Sequence, residues 1–177
     1  MDQAVAFGSR DYAICVLILA FGRGMDFLST WLATPNLVLE ANPLAKRLGW
    51  RWGALVNLTV VAGFGLWPLP AVIISTTSLL VAARNFQHAW LMRTMGEAAY
   101  RDWMSDHICG SSRTVFLLCL AAQTLLYAGL GAALVWFGGY NVVTYGIGAG
   151  FIAYGVAVAF FTVLAVRKAW RWRGVTG

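Results

Sequence analysis

The chain has 177 residues, of which 60% are hydrophobic and only 11% charged, with 19 glycines, 9 tryptophans and a net charge of +6. A soluble domain carries about 25% charged residues, so this composition fits lipid rather than water as the solvent. The same figures exclude disorder, and the basic residues fall in short gaps between apolar runs, which sets nucleic acid aside as a partner.

Taken from the amino end, residues 1–10 hold Asp2 and Arg10 ahead of an apolar run too long for a signal peptide, so the first span is expected to be retained. Five apolar runs follow, at about 12–33, 52–68, 71–92, 114–137 and 141–166. Each approaches or exceeds the ~20 residues a helix needs to cross the hydrocarbon. Pro68 and Pro70 in "WPLP" end the second helix and start the third, and "FGGYN" at 137–141 turns the fourth into the fifth. Residues 93–108 show helical periodicity instead. Met92, Met95, Ala99 and Trp103 make an apolar stripe opposite Arg93, Glu97, Arg101 and Asp102, with Glu97 and Arg101 spaced for an i,i+4 pair. The sequence therefore predicts an all-α, polytopic transmembrane bundle of about five spans, one integral domain over 1–177, with a short amphipathic interfacial helix.

Lysines and arginines give the orientation. Five spans leave Arg10 alone on one side and place Lys46, Arg47, Arg51, Arg93, Arg101, Arg113, Arg167, Lys168, Arg171 and Arg173 on the other. The positive-inside rule then puts the amino end outside and the carboxyl end in the cytoplasm of a bacterial-type inner membrane. Trp31, Trp50, Trp52, Trp90, Trp103, Trp170 and Trp172 fall at the inner boundary of this arrangement, Trp67 and Trp136 at the outer. On the fifth span Gly146 and Gly150 form a G-x-x-x-G face for close helix packing, against a neighbour or a second copy. Cys15, Cys109 and Cys119 show no paired spacing and read as small apolar residues.

Ionisable groups inside spans cost about 2.5–3.5 kcal/mol each on insertion scales and ordinarily face a partner in the protein interior. Asp26 and Thr30 share one face of the first span, with Arg23 on nearly the same face, while Arg84, Asn85 and His88 lie at similar depth on the third. Asn57 and Thr59 enter from the second span, and Glu40 and Asn42 belong to the inner connector. Asp26 against Arg84 is the natural ion pair, with Arg23 as the other partner for Asp26. Each group also has a plainer role. Asn42-Pro43 has the form of an N-cap and first helical residue, Thr34-Pro35 could open a short helix in the same way, and Glu40 could pair with Lys46 or Arg47.

Asp26-x-x-x-Thr30 followed by Glu40-x-Asn42-Pro43-Leu44 resembles the signature of an uncharacterised family of small bacterial and archaeal membrane proteins. The resemblance covers roughly residues 22–70, implies the membrane architecture, and brings no established activity.

Three functional readings stand open. Asp26, Glu40 and His88 supply oxygen and imidazole ligands for a divalent metal ion, with Arg84 suited to a lipid phosphate, so the site could bind a cation or a headgroup and even act on it. An accessory or assembly subunit of a respiratory or photosynthetic complex uses the same charges to fix helix register, with other membrane subunits or self-association supplying the partners. Transport by an oligomer ranks last, because the outer half holds few polar groups.

Overall fold

The computed structural model describes residues 3–40, 42–139 and 141–173, the side chains of Lys168, Ala169, Arg171, Trp172 and Arg173 lying outside the described residues. It is a bundle of helices α1 (Arg10–Ala33), α2 (Pro43–Phe64), α3 (Pro68–Met95), α4 (Glu97–Gly110), α5 (Arg113–Phe137) and α6 (Val142–Arg173). Local chemistry sets several helix starts. The Ser9 hydroxyl accepts from the Tyr12 N–H at 3.2 Å, the Asn42 side chain accepts from the Leu44 N–H at 3.0 Å, and Pro43 and Pro68 occupy first helical positions. Thr34, by contrast, closes α1 instead of opening a helix.

Four helices, α1, α3, α5 and α6, are long and apolar enough to cross a membrane, which makes this a multi-pass membrane protein. The second expected span, α2, falls short on that measure. Its uncharged part, residues 52–64, follows Lys46, Arg47 and Arg51 and rises only about 20 Å. Yet α2 retraces α1 along the height of the bundle. Trp50 packs edge-on against Phe27 with centroids 4.9 Å apart, Asn57 meets Arg23, and Gly65 lies beside Tyr12 and Val16. At the far end the Val5 N–H donates to the Leu66 carbonyl at 2.9 Å. Gly49, at φ 67°, breaks α2 near its start, with Lys46 and Arg47 before the break and Arg51 just after it.

The helices form a row in the order α2, α1, α3, α6, α5, with α3 between α1 and α6. α1 and α3 run parallel: Gly22 meets Ser75, and two to three turns on Asn85 meets Ser29 and Thr30. The G-x-x-x-G pair packs inside the chain. A methyl at Gly150 would stand 2.6 Å from the Thr76 Cβ, and one at Gly146 would stand 2.8 Å from the Val72 Cβ. On another face of α6, Gly148 opposes Gly131 of α5 so closely that a methyl on either would stand within 2.6 Å of the other's carbonyl oxygen.

The loop residues 34–40, the start of α2, the end of α3, the start of α5 and the end of α6 lie at one end of the bundle with α4. Glu97 binds the loop, and at the junction of α5 and α6 Arg113 stacks on Trp170 at 5.1 Å. α4 occupies the expected amphipathic segment, set off from α3 by Gly96 at φ 81°. Its inward residues are Glu97, Tyr100, Met104 and Ile108, while Trp103 and Ala99 of the expected stripe are exposed.

Candidate functional site

The polar residues of the spans are arranged by depth on the α1–α3 seam. At the α4 end the Asn85 amide donates to the Ser29 and Thr30 hydroxyls, at 3.2 Å each, and Ser29 donates to the Asp26 carbonyl at 2.9 Å. About two turns deeper Arg23 joins three helices. Its Nε donates to Asn57 Oδ1 at 2.6 Å, and its Nη1 to Asp26 Oδ2 and to Ser78 Oγ, each at 3.0 Å. Asn57 is oriented in turn by donating to the Gly53 carbonyl at 2.7 Å. The track ends at Ser75, whose buried hydroxyl has no hydrogen-bond partner among the described residues. Beyond it, towards the other end, Cys15, Leu19 and Ala71 pack with Val61 and Ile74 into an apolar core.

Arg23 lies about 15 Å from the end of α1, near mid-bilayer depth. By bonding Asp26, three residues on, it turns its guanidinium towards the α4 end. The side chains of the pair retain 28% and 20% exposure, and Nη2 of Arg23 makes no hydrogen bond among the described residues. Glu40 from the loop lies within Coulombic reach of Asp26 while one of its oxygens accepts from the Asn42 N–H at 2.7 Å. Lys46, expected as a partner of Glu40, instead donates to the Val38 carbonyl at 3.3 Å. Thr59 only returns a hydrogen bond to its own helix.

Asp26 and Arg84 do not pair. Successive residues of a helix are turned by about 100°. Asn85 therefore faces α1 while Arg84 faces the opposite seam, near Tyr100 of α4 and Tyr154 of α6. Tyr154 is buried and stacks edge-on with Tyr127 of α5 at 4.8 Å. Burial pushes the Tyr100 phenol up, the Arg84 charge opposing it only in part.

The expected metal triad is likewise not assembled. Among the described residues no three of His, Cys, Asp and Glu come within reach of one ion. His88 is exposed on the flank of α3, its Nδ1 3.2 Å from the Arg84 carbonyl of its own helix. Asp26 has instead the Arg23 guanidinium, which supplies the positive charge a cation would bring.

Sequence reasoning missed Glu97. Its spacing to Arg101 suggested an exposed pair, but Arg101 binds Asp102 at 3.0 Å and the glutamate turns into the loop. Glu97 Oε1 accepts from the Asn36 N–H at 2.9 Å and the Asn36 amide at 3.1 Å, and Oε2 from the Thr34 hydroxyl at 2.9 Å and the Val38 N–H at 3.1 Å. The loop forms a backbone nest around this carboxylate, with Leu37 between the two donating amides at φ 55°, a conformation that costs a non-glycine residue about 1–3 kcal/mol. Burial pushes the Glu97 carboxyl up, but the donors from Asn36, Thr34 and Val38 outweigh it and hold the group below the usual glutamate range. Gly96 before Glu97, and the turn-forming Thr34-Pro35-Asn36, are the signals that could have flagged this contact. Trp50 secures the same loop by donating from Nε1 to the Pro35 carbonyl at 2.8 Å.

No protein-family model, curated protein or solved structure matches the chain.

Proposed function

We propose that this is a bacterial-type inner-membrane protein, amino end outside and carboxyl end cytoplasmic, that binds a zwitterionic lipid headgroup in the polar track of α1–α3. The observation that carries this reading is Arg23, fixed by partners on α1, α2 and α3 yet partly exposed with donor capacity to spare. Arg23 suits a phosphate, and Asp26 with Glu40 suits an ammonium group, so both signs of a phosphoethanolamine headgroup find a complement. The depth profile favours binding over passage. Polar groups run from the α4 end to Ser75, and the apolar core of Cys15, Leu19 and Ala71 closes the rest of the seam. The positions Asp26, Thr30, Glu40 and Asn42, which carry the family resemblance, lie along or beside this track.

Native mass spectrometry of the detergent-purified protein tests this reading, with phosphatidylethanolamine and phosphatidylcholine as competing probes. One phosphatidylethanolamine retained by the wild type, and lost in Arg23→Gln and in Asp26→Asn with Glu40→Gln while the fold persists, would support it. A wild type that prefers neither lipid, or variants that retain it equally, would overturn it.

A second reading, an accessory subunit of a larger membrane complex, draws on the same arginine: a side chain bonded to three helices fixes their register. One stable partner complex recovered from native membranes would favour that role.

A further inference from the structure

The α3–α4 elbow carries a second, separate feature. A cleft of about 340 Å³ opens between the loop after α1 and the turn into α4, lined by apolar residues such as Pro35, Val38 and Met92 and by the polar Asn36, Arg93 and Glu97. Glu97, the nearest carboxylate in sequence, starts α4 beyond the break at Gly96. That carboxylate is spent on the loop, with four donors filling its acceptor sites. Among the described residues the ion pairs are Arg23–Asp26 and Arg101–Asp102, so Arg93 has no carboxylate partner. Its guanidinium lies over the Trp31 ring, 5.7 Å from the centroid, a contact that orients the cation without neutralising it. Trp31 and Trp90 are exposed at the same level, as aromatic residues are at a membrane boundary. An oriented guanidinium without an ion-pair partner, beside a largely apolar cleft at headgroup depth, has the chemistry of a phospholipid site: an anionic phosphate on the side of Arg93 away from Glu97, and the glycerol and upper acyl chain in the cleft.

We infer that this elbow binds one anionic phospholipid through Arg93. The site is distinct from the Arg23 track and does not depend on it.

The test is a lipid titration of the full chain followed by native mass spectrometry, with phosphatidylglycerol as the probe and phosphatidylcholine as the control of zero net charge. Wild type binds one phosphatidylglycerol in preference to phosphatidylcholine. Arg93→Gln weakens that step by about tenfold, the size expected on losing one charge-assisted contact. Ala98→Leu, which keeps the charge but fills the cleft, weakens it as well. Arg101→Gln, which removes an exposed cation outside the cleft, leaves it unchanged. The proposal is overturned if Arg93→Gln binds phosphatidylglycerol as the wild type does, or if Ala98→Leu has no effect. An equal loss in Arg101→Gln, which would mark a diffuse surface effect, also overturns it.

Discussion

The two faces of α3 are held by different chemistry. Towards α1 it presents Ser75, Ser78 and Asn85 to a stripe that includes Gly22, Arg23, Ser29 and Thr30, and the seam is laced by hydrogen bonds. Towards α6 it presents Val72, Thr76 and Thr77 to Gly146 and Gly150, and contact there is backbone-close. Lipid offers no hydrophobic drive between helices, so association relies on either polar bonds or close approach. The glycine seam gains dispersion from proximity, and the polar contact across it, from the Thr77 hydroxyl to the Gly150 carbonyl at 3.2 Å, carries no charge. The polar seam is also close, with Gly22 against the Ser75 backbone, but its Arg23–Asp26 pair stays partly exposed, and the candidate chemistry lies there.

Substitutions separate the two seams, beginning with the glycines. Gly150→Leu forces a side chain into Thr76 and the Ile73 carbonyl, and Gly131→Leu does the same between α5 and α6. Each should cost about 3 kcal/mol or more and lower the melting temperature in detergent by many degrees. Arg23→Leu strands Asp26 without its partner. Its cost should be about 2–3 kcal/mol, below the range for a fully buried pair because both side chains keep some exposure. Arg23→Leu with Asp26→Leu should regain most of that in the same melting assay.

Glu97→Ala removes the acceptor of four donors and should cost about 1–3 kcal/mol, read most sharply as faster hydrogen exchange at Asn36 and Val38. The pH dependence has a definite sign. A carboxyl held below its unfolded value contributes stability that is present at neutral pH and lost as pH falls through the folded value. Acidification to below the ordinary glutamate range should therefore loosen the loop in the wild type and leave Glu97→Gln indifferent. Asn85→Ala should cost about 0.6 kcal/mol, the average for an interhelical hydrogen bond in lipid. Exposed His88→Ala should change almost nothing.

Much of the architecture was legible because it is written in composition and in stop signals. Pro68 and Asn42-Pro43 mark helix starts that the structure keeps, and Gly146 and Gly150 announce a close seam. Whether that seam lay within one chain was not legible, since small residues look alike to either partner. The candidate site was half legible. Depth along a helix can be counted from sequence, so Asp26, Thr30 and Asn85 were correctly brought to one level. Azimuth between helices cannot be counted without knowing which neighbour each face meets. A single 100° step separates Asn85, which reaches α1, from Arg84, which does not. Glu97 was hidden for a different reason: its main partners include backbone amides of a loop, and a backbone amide has no residue code.

The central structural claim is that Arg23, not Arg84, is the partner of Asp26. A pair of double-mutant cycles tests it directly, combining Asp26→Asn with Arg23→Gln in one and with Arg84→Gln in the other. The account predicts a coupling of about 1 kcal/mol or more in the first cycle and additivity within about 0.3–0.5 kcal/mol in the second. Additivity with Arg23 and coupling with Arg84 would contradict it.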